Sequence, residues 1–271
     1  MKKSILITGS TDGIGKLAAI KLAKEGHEIY LHGRNVQKLN NTISEVKELS
    51  GNLNIRGFAG DFSDLESVQK MINQLQNDLP KLDVLINNAG IFKTTQSKNK
   101  DGFDVRMVVN YLAPYLLTKE LIPLLQKGNQ PRIVNLSSAA QAPVSMSSLS
   151  NEAILDTQQA YAQSKLALTM WSFDLAKKEP SISTIAVNPG SLLNTKMAIE
   201  AYGQHWSSAG KGANLLHDLA TSSEFEGVTE KYFDNDLGDP RGAFGKAHTD
   251  AYNQEKIDRL MTETEKVLVN L

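Results

Sequence analysis

The segment Thr8-Gly9-Ser10-Thr11-Asp12-Gly13-Ile14-Gly15 lies between a short apolar run, residues 4–8, and an amphipathic stretch, residues 14–24. Glycine reaches backbone angles closed to other residues, and its missing side chain lets amide N–H groups approach a pyrophosphate. The N-terminus of the following helix adds partial positive charge at the same place. A strand, a glycine turn and a helix in this order therefore predict a dinucleotide held at Gly9, Ser10, Thr11, Asp12, Gly13, Ile14 and Gly15. The plainer reading is a glycine-rich turn with no ligand.

The rest of the chain repeats the strand-then-helix unit. Blocks of apolar residues at 28–32, 54–59, 82–86, 132–136 and 182–187 read as buried parallel strands, and 227–233 as a last one. Helical patterns run over 36–49, 65–79, 103–126, 161–178 and 253–269. Asn35 is placed to cap the second helix, and Ser63-Asp64-Leu65-Glu66 has the capping-box spacing before the third. Such alternation predicts an α/β fold with a doubly wound parallel sheet. Of 271 residues, 41% are apolar and 22% charged, which suffices for a sizeable core, and no composition shift marks a linker.

A net charge of −1 supplies no basic field for nucleic acid and no polybasic patch for anionic lipid. The absence of cysteine removes disulfides, thiolate catalysis and cysteine-ligated metal. The five histidines, at 27, 32, 205, 217 and 248, show no metal-type spacing, so no catalytic metal is expected. No run approaches the roughly 18 apolar residues of a membrane span. Met1-Lys2-Lys3 is followed by too short an apolar run for a signal peptide, and a cytoplasmic protein is expected.

Two further features carry chemistry. The second strand runs out through His32-Gly33-Arg34, and no Asp or Glu occurs between Glu28 and Glu45. An acid there would bind the ribose of NAD, whereas the Arg34 guanidinium suits a 2′-phosphate, so NADP is expected. An ordinary surface arginine is the alternative. Tyr161-Ala-Gln-Ser-Lys165 puts a phenol and an ammonium on one helix face. A phenol, with a pKa near ~10, exchanges protons poorly at neutral pH unless a cation stabilises phenolate. Lys165 could supply that field, and Tyr161 would then exchange a proton with a carbonyl or alcohol oxygen as hydride moves. Alone, such a pair is far more readily a surface i,i+4 contact.

Taken together, the glycine turn, Asn87-Asn88-Ala89-Gly90, Asn110, Ser137-Ser138 and Tyr161-x-x-x-Lys165 resemble the short-chain dehydrogenase/reductase family over residues 4–195. The resemblance implies a single Rossmann-type domain with a C-terminal substrate lid at residues 191–226. It implies that Ser138 orients the substrate oxygen, Tyr161 is the acid/base, Lys165 lowers its pKa and holds the nicotinamide ribose, and Asn110 anchors a water linking Lys165 to solvent. Asn88, Ala89 and Gly90 would line the adenine-ribose side, with Asp61 and Phe62 at the adenine. Pro189 and Gly190 would face the nicotinamide, and Thr195 its carboxamide or a phosphate. Side chains alternate along a strand, so Ser137 and Ser138 should not both face the cofactor.

Residues 139–160 separate Ser138 from Tyr161, a longer interval than the family's commonest one, and Ser147-Ser148-Leu149-Ser150-Asn151-Glu152 reads as a surface insertion. With Gly33-Arg34-Asn35 and Lys231-Tyr232-Phe233, it is similar to the retinol-dehydrogenase-like branch. Leu192, Leu193, Met197, Ile199, Tyr202 and Trp206 would cover a lipophilic carbonyl or alcohol, or simply pack in the core. Family analogy implies a homo-oligomer paired through the helices at 103–126 and 161–178. A non-catalytic NADP-binding sensor or scaffold would share this fold. A methyltransferase would share the glycine turn but has no use for Tyr161 and Lys165.

Overall fold

The computed structural model describes residues 1–150, 155–238 and 240–269. The chain begins β1 (Ser4–Ile7), α1 (Gly13–Lys24), β2 (Glu28–Gly33), α2 (Val36–Ser50), β3 (Ile55–Ala59), α3 (Leu65–Asp78) and β4 (Val84–Asn87). It continues through α4 (Val105–Met107), a π-helical segment (Val108–Leu112), α5 (Ala113–Leu125), β5 (Arg132–Leu136), α6 (Thr157–Lys178) and β6 (Ser183–Asn188). The last elements are α7 (Lys196–Tyr202), α8 (Ala209–Thr221), β7 (Lys231–Asp234), β8 (Ala243–Gly245) and α9 (Gln254–Val269).

The strands form one sheet in the order β3-β2-β1-β4-β5-β6-β7-β8. Neighbours from β3 through β7 pair in parallel and β8 returns antiparallel. All residues of β1, β4 and β5 are buried, because helices cover both faces, and this is why these strands read as apolar blocks rather than alternations. One face packs Val68, Met71, Leu121, Trp171 and Leu260; the other packs Ala18, Leu22, Leu39, Leu216 and Leu219. Full burial of a leucine such as Leu216 contributes about 1.5–3 kcal/mol. The order in which strands are added reverses between β1 and β4, which opens a crevice at their C-terminal ends.

Several expectations are corrected. Asp64, not Ser63, caps α3: its carboxylate accepts from the amides of Glu66 and Ser67, while Ser63 instead donates to Asp61. The helix expected over 103–126 is interrupted by the π-helical segment, which contains Asn110. Helix α6 begins four residues before Tyr161, capped by Asp156, so Tyr161 lies inside the helix and does not open it. The last parallel strand starts at Lys231 and not Gly227, and β8 has no counterpart in the apolar pattern.

Within the expected lid, α8 is a core helix with Ala213, Leu215, Leu216, Leu219 and Ala220 buried. Ahead of α8, Thr195 borders the glycine turn at Gly13. In the expected insertion, Ser148 and Leu149 are buried in a short helical turn, whereas Asn151 and Glu152 lie outside the described residues.

Helix α9 lies across part of the surface that family analogy assigned to a second subunit. Tyr111 Oη and Thr264 Oγ1 share a 2.6 Å hydrogen bond, and Tyr115 Oη and Lys119 Nζ donate to Glu265 at 2.5 and 2.8 Å.

Candidate active site

The glycine turn sits at the C-terminal end of β1, and steric closeness dictates its composition. Gly9 has φ +63°, and a Cβ there would lie 2.7 Å from the Cα of Ala89. A Cβ on Gly15 would collide with the Asn88 amide. Asn88 Nδ2 donates to the carbonyls of Thr8 and Gly9 at 2.7 and 3.0 Å, binding the turn to the end of β4. Thr195 meets the turn from the other side, with its methyl 3.7 Å from where a Gly13 Cβ would stand. Its hydroxyl caps α7 by accepting from the Ala198 amide.

His32, which spacing arguments passed over, fastens the same turn from β2. Its Nδ1 accepts from the Gly9 amide at 3.0 Å and its Nε2 lies 2.9 Å from the Gly60 carbonyl, an arrangement that a neutral ring protonated on Nε2 satisfies. Burial pushes its pKa down to about 4, so the ring stays neutral at physiological pH. The signal missed was a buried polar side chain at a strand end with a glycine turn beside it.

Asp12 accepts from the Gly13 amide and forms an ion pair with Lys38 at 2.7 Å. The Lys38 hydrogen bond holds its carboxyl below the usual range, with burial acting the other way and the Gly13 amide adding to the lowering. Arg34 is exposed just beyond β2, and no hydrogen bond or ion pair joins it to the described residues. Asp61 caps its own turn, accepting from the amide and hydroxyl of Ser63. Phe62 does not offer its ring to a base: it is buried and stacked on His32, with centroids 4.3 Å apart.

The other end of the crevice gathers Ser138, Tyr161, Lys165, Asn110 and Gly90. A Cβ on Gly90 would lie 3.3 Å from Asn110 Oδ1 and 3.4 Å from Lys165 Nζ, so the loop after β4 touches both. Asn110 is buried. Its Oδ1 accepts from the Ile91 amide, and its Nδ2 donates to the Ile91 carbonyl and to Ser164 Oγ. Ser164 in turn donates to the Tyr161 carbonyl at 2.7 Å, joining the π-helical segment to α6.

The Tyr161 ring is half-buried, packed edge-on against Phe92 with centroids 4.9 Å apart. Lys165 Nζ lies 5.6 Å from the Tyr161 ring centroid and donates to the Leu136 carbonyl at 2.7 Å. Only 4% of Lys165 is exposed, and desolvation pushes its pKa down to about 8.

The two serines divide as strand alternation requires. Ser137 is buried, bonded to Thr169 Oγ1 at 2.6 Å and to the Lys165 carbonyl at 3.1 Å. Ser138 is half-buried. Its Oγ accepts from the Ala140 amide, and its carbonyl accepts from Gln141 Nε2 and from Tyr232 Oη, both at 2.9 Å.

Pro189 and Gly190 close this end, with Gly190 at φ +116°. A Cβ on Gly212 of α8 would touch both Leu193 and Ile14, so α8 wedges between this turn and the start of α1. Leu193 is therefore a packing residue. Met197, Ile199 and Trp206 are exposed, Trp206 by 73%. The side chain of Tyr202 lies outside the described residues. No group of His, Cys, Asp or Glu suited to a metal occurs among the described residues, nor does a helix long and apolar enough to cross a membrane.

Comparison with known proteins agrees with this arrangement. The family model described as short chain dehydrogenase matches residues 3–205. Human polyprenol dehydrogenase is 31% identical, with 85% of this chain and 76% of the relative covered. Mouse retinol dehydrogenase 12 is also 31% identical, over 85% of this chain and 77% of the relative. A short-chain dehydrogenase from Escherichia coli, solved with NADPH, superposes with TM-score 0.69 at 27% identity, covering 86% of this chain and 95% of that one. A Mycobacterium paratuberculosis protein shares the fold at TM-score 0.79 and 23% identity, covering 98% and 92%.

Proposed function

This chain belongs to the short-chain dehydrogenase family, and on that premise we propose that it is an NADP-dependent oxidoreductase acting on a lipophilic carbonyl or alcohol, with Tyr161 as acid/base. The observation that carries the mechanism is the Lys165 ammonium, buried beside the Tyr161 ring with a carbonyl as its hydrogen-bond partner. A desolvated cation favours an anion next to it. The phenolate form of Tyr161 is that anion, and its stabilisation brings the phenol toward working pH.

The residues fit a nicotinamide dinucleotide. Gly9 and Gly15 leave space that a Cβ would fill, α1 turns its N-terminus toward the same place, and Arg34 offers a guanidinium, unpaired among the described residues, for a 2′-phosphate. Asn88, Ala89 and Gly90 would line the ribose, Pro189 and Gly190 the nicotinamide, and Thr195 the phosphate side, where its methyl borders the space that a Cβ on Gly13 would fill. When bound, the cofactor supplies or accepts hydride. Ser138 Oγ would hold the substrate oxygen while Tyr161 gives it a proton, or takes one in the oxidative direction. Lys165 would hold the ribose and keep the phenol acidic.

The lipophilic substrate rests on two supports. Met197, Ile199 and Trp206 present exposed apolar surface at the crevice mouth, and the relatives named above are dehydrogenases of polyprenol and retinol.

The test follows NADPH absorbance with a panel of short and long-chain aldehydes, ketones and isoprenoid alcohols. Tyr161→Phe should lower kcat by about 10²–10⁴-fold while leaving NADPH affinity in place. Unchanged turnover in that variant would remove Tyr161 from the chemistry, and NADPH binding without turnover of any compound would favour a sensor.

A further inference from the structure

The turn Asn188-Pro189-Gly190-Ser191 is not held by its own backbone. Gly190 has φ +116°, and Leu192, with a side chain, stands at φ +47°, a conformation that costs an L-residue free energy. Three consecutive residues at the end of β7 restrain it. Asn188 Nδ2 donates to Asp234 Oδ1 at 2.7 Å and to Asp236 Oδ2 at 2.9 Å. Asn235 Nδ2 donates to the Pro189 carbonyl at 2.8 Å, and the Asn235 amide donates to the Asn188 carbonyl at 3.1 Å. Ser191 engages Asp236 twice: its amide donates to the carboxylate at 2.9 and 3.1 Å and its hydroxyl at 2.6 Å. Burial alone would raise the Asp236 pKa, but these donors outweigh it and hold the group below the usual carboxylate range.

Asp236 thus grips the turn on both sides of Pro189-Gly190, through Asn188 before it and Ser191 after it. Tyr232, four residues earlier on β7, donates to the carbonyl of Ser138. One strand end therefore contacts both the turn that would face the nicotinamide and the loop that carries the substrate-orienting serine.

We propose that Asp236 is a positioning residue for hydride transfer: its carboxylate, by fixing Asn188 and Ser191, sets the wall at Pro189-Gly190 against which the nicotinamide lies. This rests on the reading of the crevice as an NADP(H) site. The carboxylate touches neither substrate nor cofactor and acts through the turn. Without it, the Ser191 amide and the Asn188 amide group lose a charged acceptor, and the turn, with φ > 0 at Gly190 and again just after it at Leu192, relaxes.

The test compares the native chain with Asp236→Ala and Asp236→Asn. NADPH affinity is measured by fluorescence titration, kcat and KM with the best carbonyl of the panel, and thermal midpoint by melting. Loss of hydrogen bonds to a charged acceptor should weaken NADPH by about tenfold in Asp236→Ala and lower kcat similarly. The carbonyl KM and the melting midpoint should move little, and Asp236→Asn, which keeps an acceptor for Ser191, should recover most of both losses. Native affinity and kcat in Asp236→Ala would overturn the proposal. So would losses in both variants that merely track a fall in melting midpoint, which is the mark of a structural role. A native chain that binds no NADPH would fail earlier, overturning the reading of the site itself and the proposal with it.

Discussion

Two cations stand at opposite ends of one crevice, and their surroundings could hardly differ more. Arg34, beyond β2, is exposed to water and unpaired among the described residues. Lys165, inside α6, is almost wholly buried and hydrogen-bonded to the Leu136 carbonyl. The attraction of the first for a phosphate is screened by salt. The second has had its affinity for a proton lowered by desolvation, and its field acts on a near neighbour through little solvent. A wet cation suits recognition of a group that arrives already charged. A dry one suits the creation of charge on a neighbouring phenol.

That contrast breaks most sharply at Lys165. Its folded-state pKa, about 8, lies below the ordinary 10.5, so between those values the unfolded chain binds a proton that the folded chain does not. Stability of the cofactor-free chain should therefore rise as pH increases from about 8 to 10.5, and the full cost of the buried charge is present below pH 8. Lys165→Met removes the charge and leaves the Leu136 carbonyl without its donor. The net expectation at pH 7 is a gain of about 1–3 kcal/mol, with the pH dependence flattened and turnover lost. Urea melts at pH 7 and pH 10 measure this. A destabilised variant with the slope unchanged would mean that the ammonium is not desolvated.

Arg34 should behave oppositely, with no effect on folding and a selective effect on binding. Arg34→Ser should weaken NADPH by about 10–100-fold, the worth of one or two charge-assisted hydrogen bonds, and leave NADH almost untouched. The native preference should shrink as salt is raised, because this end of the crevice is open. Equal losses for both cofactors would show that Arg34 does not read the 2′-phosphate. Lys38, now paired with Asp12, would then be the next cation to examine.

These two ends were also unequally legible in sequence. The glycine turn could be read because its constraint is steric and local: Gly9 and Gly15 have no room for a Cβ, and a strand and helix flank them. The Tyr161 and Lys165 pair was visible as spacing, but the burial of Lys165 was not. Helix α6 is buried on nearly every face between the sheet and α9, so it carries little amphipathic pattern to show which way a side chain points. The packing of the Phe62 ring was not legible, because one aromatic after a strand looks the same whether it faces a base or stacks on His32.

Helix α8 was taken for lid because its short run of small and apolar residues lacks a strand beside it in sequence. Its core position follows from packing against α1, nearly two hundred residues earlier. Asp236 offered no signal at all, since the groups it grips lie 45 and 48 residues away.

The catalytic end, being assembled from distant pieces, should tolerate small losses better than the spacing of its motifs implies. Tyr232→Phe tests this. Tyr232 is buried, and its hydroxyl donates to the Ser138 carbonyl, which also accepts from Gln141. Removing the hydroxyl leaves that carbonyl one partner, so the expected cost is that of a single neutral hydrogen bond, about 0.5–1.5 kcal/mol. If the bond only stabilises the fold, the cost appears in the denaturation midpoint and kcat is native. If it holds Ser138 in register with Tyr161, part of it appears as a severalfold fall in kcat with NADPH affinity unchanged. The second outcome is expected, because the other hydrogen bonds of Ser138 itself, with Ala140 and Gln141, are local to its loop, and the ties of that loop to α6 run through Ser137 and Ala142 on either side of it.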